Sequence, residues 1–397
     1  MYKFKYGWKK RGVHVKYDKL TMSAGPAEIH PRVSKAAAEP ILYHYDPAFK
    51  KLHHGVEEKL KKLFLTSNDI IIMQGEAILG LEAAAFSCIR PGDTCLNLVT
   101  GVFGKWFEDF IHMYGGKVVE IRKDYNSSIT PEEVRSAFEK NPDIKLMSVV
   151  HSETPSGTIN PINELCPIAK EYGAITLVDS VSGVAGSEVR TDEWGIDICI
   201  TGPQKCIGAM PGLSLMAVSP DAWQRIAASN PARNTFLSML DWKEKWLTHG
   251  AFPYTPSVSL IYALNAALDM IFEEGLEAVW KRHGDCARAC RAGLKAMGLS
   301  LWPESEFIAT DCCTAFKIPE AIESASFIEH LRETYGVVIS PGYGELNGAL
   351  LRIGHMGHTA KPMPVMTALT FVGKALRDRG FPAKIGDGLE AALSELY

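Results

Sequence analysis

The chain has 397 residues, 46% of them hydrophobic and 22% charged, and a formal net charge of −4. That balance leaves no basic footprint for nucleic acid or an anionic membrane surface, and no apolar run approaches the roughly 18 residues of a membrane span. Nine cysteines, an odd number scattered without a secreted-domain framework, point to a reducing cytoplasm.

Residues 1–20 are rich in Lys, Tyr and Trp, hold no apolar signal core and carry no functional reading. From Asp69 onward, short β-rich runs alternate with amphipathic ones. The pattern predicts strands over Asp69–Met73, Thr94–Val99, Lys117–Ile121, Lys145–Val150, Ala174–Val178, Asp197–Thr201 and Leu213–Val218. Helices are predicted between several of them, at Leu79–Cys88, Gly104–Met113, Pro131–Lys140 and Ile162–Tyr172. Such alternation implies crossover connections, hence an α/β fold with a largely parallel sheet covered on both faces. Ligands of such sheets bind in loops at the carboxyl ends of the strands. After about residue 280 helix dominates, with Arg282–Met297 helical and Val337–Ser340 and Leu350–Ile353 as strands of a smaller α+β unit. The expected division is an N-terminal segment 1–20, a large domain 21–280 and a small domain 281–397.

Three strand ends carry chemistry. In Thr176-Leu-Val-Asp179-Ser an apolar strand runs into an acid, which can pair with a protonated pyridine nitrogen or simply cap a turn. In Thr201-Gly-Pro-Gln204-Lys205-Cys-Ile-Gly a lysine sits in a Gly/Pro-bounded turn after a strand. A lysine in a dry pocket loses proton affinity and becomes a nucleophile toward aldehydes; alone it also reads as a loop surface charge. Its pairing with Asp179, one β-α unit earlier, favours the first reading. In Leu351-Arg352-Ile-Gly-His355 an arginine leads into a glycine turn, where a guanidinium can grip a carboxylate with two prongs or form an internal salt bridge. Cys286 and Cys290 lie one helical turn apart and suit a helix face better than a metal, and His53-His54 and His355 make no metal-ligand spacing.

The strings Val178-Asp179-Ser-Val, Thr201-Gly-Pro-Gln204-Lys205 and Leu351-Arg352-Ile-Gly together resemble the class V aminotransferases, and the likeness runs from about Thr21 to the C-terminus. It implies the fold-type I architecture of the aspartate aminotransferase kind and a homodimer or dimer of dimers. It also implies Lys205 as Schiff-base lysine, Asp179 on the ring nitrogen and Arg352 on the substrate carboxylate. By the same resemblance Phe103 stacks on the ring and Thr154 hydrogen-bonds near its hydroxyl. Cys312-Cys313 invites a comparison with the desulfurases of the class, although buried structural thiols are common.

Finer strings resemble the branch that moves the amino group of pyridoxamine to pyruvate: Tyr43-His-Tyr-Asp-Pro-Ala-Phe49, Gly75-Glu76-Ala-Ile-Leu-Gly-Leu-Glu82, Thr154-Pro-Ser-Gly-Thr-Ile-Asn-Pro161 and Phe252-Pro-Tyr-Thr255-Pro-Ser-Val258. They add Tyr43 and Thr255 to the candidate binding residues; Gln204, just before the lysine, is a further candidate, although that position varies within the wider family and decides little. In that branch unphosphorylated pyridoxal is a substrate on the lysine, with no separate prosthetic group; the alternative is resident pyridoxal phosphate (PLP). Relatives that use PLP hold its phosphate on free amides at a helix N-terminus, where this chain carries Glu76. At about 4 Å and an effective dielectric near 20, each pair of like unit charges repels by roughly 4 kcal/mol. Phe252 likewise lacks the hydroxyl that many such relatives direct at the phosphate across the dimer. Tyr343, in Ser340-Pro-Gly-Tyr343-Gly-Glu345, stands where the branch suggests an arginine; its phenol can donate a hydrogen bond but carries no positive charge.

Overall fold

The computed structural model describes residues 19–397, so nearly all of the expected segment 1–20 lies outside the described residues. Seven strands form the main sheet: β1 (Asp69–Gln74), β2 (Thr94–Val99), β3 (Lys117–Arg122), β4 (Ile144–Val150), β5 (Ile175–Asp179), β6 (Ile198–Thr201) and β7 (Leu213–Val218). Each lies within one residue of its predicted bounds. Their spatial order is β1-β7-β6-β5-β4-β2-β3, and β7 is antiparallel to both β1 and β6 while every other pair is parallel. The central strands are buried along their whole length, as expected where helices cover both faces of a sheet.

The helices that matter to the site are α1 (Pro47–Phe64), α2 (Ala77–Cys88), α3 (Val102–Met113), α4 (Pro131–Lys140) and α5 (Ile162–Glu171). Both α2 and α3 start two residues ahead of the predicted position. The reason is local: a carboxylate accepts first-turn amides in each, Glu76 from Ile78 N (3.1 Å) and Glu153 from Gly104 N (2.7 Å). Helices α6 (Val258–Glu274) and α7 (Leu276–Ala296) follow, separated by Gly275 at φ 94°, a backbone state that glycine adopts without steric cost. Helix α7 therefore begins six residues before the expected Arg282, because its first turns pack on the large core through Leu276 and Val279.

The smaller unit holds an antiparallel sheet of β8 (Cys313–Lys317), β9 (Ser340–Pro341) and β10 (Leu350–Gly354), in the order β8-β10-β9. The predicted strand Val337–Ser340 is divided: Val337–Val338 pairs in parallel with Leu20–Thr21, and Ser340 pairs with Arg352. A second core gathers Met22, Phe316, Phe327, Leu351, Ile353 and Leu369, apart from the core of the main sheet. The chain from Leu20 to Ala27 thus runs from one core across to the other, and β10 reaches the same seam from the opposite side. No helix among the described residues is long and apolar enough to cross a membrane.

Candidate active site

At the carboxyl ends of the central strands lies a cavity of about 350 Å³, lined among others by Glu76, Phe103, Thr154, Asp179, Lys205, Tyr343 and Arg352. Seven of the ten residues singled out in the sequence therefore meet in one place. Asp179 ends β5, and Lys205 sits in the turn after the neighbouring strand β6. Thr201 Oγ1 ties the two strand ends together by donating to Ser180 O (3.1 Å) and Val181 O (3.2 Å).

Lys205 Nζ donates to the carbonyl of Ala24 at 2.8 Å. Burial lowers its proton affinity, and the nearby Arg352 guanidinium pushes the same way. Gly25 passes so close that any side chain there would collide with Nζ. Burial raises the Asp179 carboxyl to about 6, against the opposing hydrogen bond from Val181 N (3.0 Å) and the charge of Lys205. Asp179 is thus an acid whose charge is costly unless a cation faces it. Arg352 donates from Nε to Pro341 O (2.9 Å) and from one terminal nitrogen to Thr154 O (2.9 Å). Those two bonds fix the plane of the guanidinium, and its other terminal nitrogen makes no hydrogen bond among the described residues. Thr154 thus contributes its carbonyl to the positioning of Arg352.

Glu76 caps α2 with its own side chain, and its other oxygen takes a short hydrogen bond from Gln204 Nε2. Gln204 is buried behind the wall and reaches the site only through Glu76. Of the first four amides of α2, three are already engaged. Ile78 N donates to the Glu76 carboxylate, Leu79 N to the Glu76 carbonyl (2.8 Å) and Gly80 N to Ser214 Oγ (3.0 Å). Ser214, on β7, was not singled out in the sequence, since a serine inside a strand carries no chemical signal.

Glu153 was also missed. It is wholly buried, accepts from Gly104 N and Phe103 N, and is pushed up to about 8 by burial, with the negative charge of Asp179 adding to the effect. Gly101 is required beside it, because a side chain there would overlap the carboxyl group. Its place inside Glu153-Thr-Pro-Ser-Gly, next to a residue already chosen, was the available signal.

Tyr43 and Thr255 are not in the cavity. They share a groove on the outer surface with Ile41, Leu42 and Pro256, and Tyr43 is 66% exposed. Phe252 is buried and stacked on Trp246, with centroids 3.9 Å apart, as part of an aromatic cluster with Phe49 and His53. Cys312 and Cys313 are buried at the start of β8, with Cys312 Sγ bonded to Ser152 (3.3 Å) and Thr310 (3.2 Å), which is the environment of structural thiols.

Residues 24–352 match the family model for class-V aminotransferases, and the chain belongs to that family. The pyridoxamine–pyruvate transaminase of Mesorhizobium japonicum is 44% identical over 376 residues, covering 94% of this chain and 96% of its own. The serine–glyoxylate aminotransferase of Arabidopsis thaliana is 30% identical, with 94% of each chain covered. Among solved structures, pyridoxamine–pyruvate aminotransferase from Mesorhizobium loti superposes with a TM-score of 0.92 at 43% identity, over 95% of this chain and 96% of that one. The architecture is that of the fold-type I aminotransferases, and the protein is a transaminase by family.

Proposed function

We propose that the protein transfers the amino group of pyridoxamine to a 2-oxo acid, pyruvate in the first instance, giving pyridoxal and alanine, with the unphosphorylated vitamer as a turnover substrate. The observation that carries this reading is the N-terminus of α2, where Glu76 and Ser214 occupy the amides that would otherwise face a phosphate. The residues fit the ring of a B6 aldehyde: a lysine of lowered proton affinity and an acid in need of a cation. They do not fit its phosphate. A hydroxymethyl group, by contrast, can donate to Glu76.

In this reading Lys205 condenses with the aldehyde of pyridoxal, and its free amine carries a proton between C4′ and Cα of the acid. Asp179, ionised opposite the ring nitrogen, keeps the ring protonated so that it accepts electron density. Arg352 holds the carboxylate. Nitrogen passes from C4′ to Cα and the keto oxygen is exchanged through water for the aldehyde oxygen, so oxidation of one partner balances reduction of the other. We further propose a cytoplasmic protein acting as a homodimer or dimer of dimers, with the exposed apolar groove around Tyr43 and Thr255 as a subunit contact.

In the alternative reading PLP remains resident, as in the alanine–glyoxylate kind of class V enzyme, and shuttles amino groups between two amino acids. The absorbance spectrum of purified protein separates the two. The expected result is no visible band until pyridoxal is added, loss of that band in Lys205→Ala, and pyridoxal formed from pyridoxamine and pyruvate. Release of stoichiometric PLP on denaturation overturns the proposal.

A further inference from the structure

Among the described residues Arg352 and Lys205 are the only cationic side chains lining the cavity, and its mouth carries one more feature, in which Phe103, the residue expected to stack on the ring, is joined by two side chains with no role in the reaction above. Phe103, Trp106 and Tyr343 form a cluster of three rings there. Their centroids lie 5.2 Å apart for Phe103–Trp106, 5.7 Å for Trp106–Tyr343 and 6.0 Å for Phe103–Tyr343. Trp106 is 36% exposed and Tyr343 43% exposed, so the cluster is not a piece of core.

The placement of this wall relative to Arg352 is set by the backbone. Pro341, whose carbonyl accepts from Arg352 Nε, is two residues from Tyr343, and β9 pairs directly with the arginine's own strand. The turn that bears Tyr343 is held against the start of α3 by the ion pair of Lys105 with Glu345. That pair also balances the charge of Lys105. A carboxylate gripped by Arg352, on a carbon bonded to the nitrogen at C4′, therefore leaves its remaining substituent beside the three rings. Flat aromatic surface is what such a wall attracts, through edge and offset contacts at these spacings. Among the described residues a second carboxylate would find no unpaired cation there.

We propose that Phe103, Trp106 and Tyr343 form a side-chain subsite for the amino acceptor, and that the protein takes 2-oxo acids with an aromatic side chain at least as well as pyruvate while rejecting dicarboxylic ones. The proposal rests on the pyridoxamine reading for its donor but concerns the other end of the cavity.

The test is kcat/KM for phenylpyruvate, pyruvate and 2-oxoglutarate with pyridoxamine as donor. Phenylpyruvate is expected to exceed pyruvate by about tenfold, the order that a small apolar group earns in a fitted pocket, and 2-oxoglutarate to fall below both. In Trp106→Ala and Tyr343→Ala the phenylpyruvate-to-pyruvate ratio should drop by about tenfold, whereas a purely structural role would lower both substrates together and leave the ratio unmoved. A phenylpyruvate value below that of pyruvate, or an unchanged ratio in both variants, overturns the subsite. Absence of pyridoxal with every acceptor overturns the donor reading instead. The same ratio, measured on protein loaded with pyridoxamine phosphate, then decides the subsite by itself.

Discussion

The N-termini of α2 and α3 both open toward the cavity, and each is closed by a carboxylate, but the two acids do different work. Glu76 belongs to the helix it caps, is exposed to the cavity and shares its oxygens between Ile78 N and Gln204. Glu153 arrives from another part of the chain, is wholly buried and is pushed up to about 8. The helix dipole favours an acid in both places. Solvent access decides the rest: the exposed acid is open to the cavity, whereas burial pushes the other toward its protonated form while it anchors the backbone of Phe103. A helix end that elsewhere would bind an anion is thus closed once by a cavity-facing acid, which we propose selects the ligand, and once by a buried strut.

The sharpest way to break this contrast is Glu76→Ser. Removing roughly 4 kcal/mol of repulsion between like charges should tighten PLP binding by about a thousandfold, read from absorbance titrations. An unchanged PLP affinity would remove Glu76 from the explanation of ligand choice. At the other helix, Glu153→Ala should cost about 2–3 kcal/mol by leaving buried amides without a partner, seen as a lower denaturation midpoint, while Glu76→Ala, which removes the solvent-exposed cap of α2, should cost less, about 1 kcal/mol.

The pH dependence separates the same two acids. The folded-state value of Glu153 lies above its unfolded one, so the unfolded chain releases this proton first as pH rises. Wild type therefore loses stability relative to Glu153→Gln between about pH 4.5 and 8, by up to about 1.4 kcal/mol per unit. A difference that is flat over that window would show Glu153 to be ionised when folded. Asp179 acts on catalysis in the opposite sense: with its carboxyl raised to about 6, kcat/KM for pyridoxamine should fall about tenfold per unit below pH 6. A profile flat down to pH 5 would contradict its pairing with the ring. The smallest effect is expected for Gln204→Leu, which frees one Glu76 oxygen and should weaken pyridoxal binding by about tenfold or less. A loss as large as that of Lys205→Ala would mean that Gln204 touches the ligand directly.

Legibility in the sequence followed the physics of each residue. Six strands of the main sheet were readable because strands covered by helices are largely continuous apolar runs bounded by turn residues, and the half-exposed edge strand β3 by its β-branched Val118, Val119 and Ile121. Asp179, Lys205 and Arg352 stood out because charged side chains where buried strands end are hard to account for as solvation. The first turn of α3 was not readable, since its cap is Glu153, 49 residues from Gly104, and that of α2 is closed by its own Glu76, a residue type outside the preferred N-caps. Gln204 was noticed but given little weight; its importance lies in a contact with Glu76, 128 residues away. Ser214 and Glu153 were passed over for the same reason.

By itself the sequence determined the family, the α/β order of elements and the strand-end pair Lys205 and Asp179 that we propose binds the ring, because these are carried by short local strings and by periodicity. The tertiary structure alone decided which acid faces the cavity, which one is buried, and that the mouth carries three rings in edge and tilted contact on the side of Arg352. Those outcomes depend on burial and on contacts between distant segments, and local pattern carries no record of either.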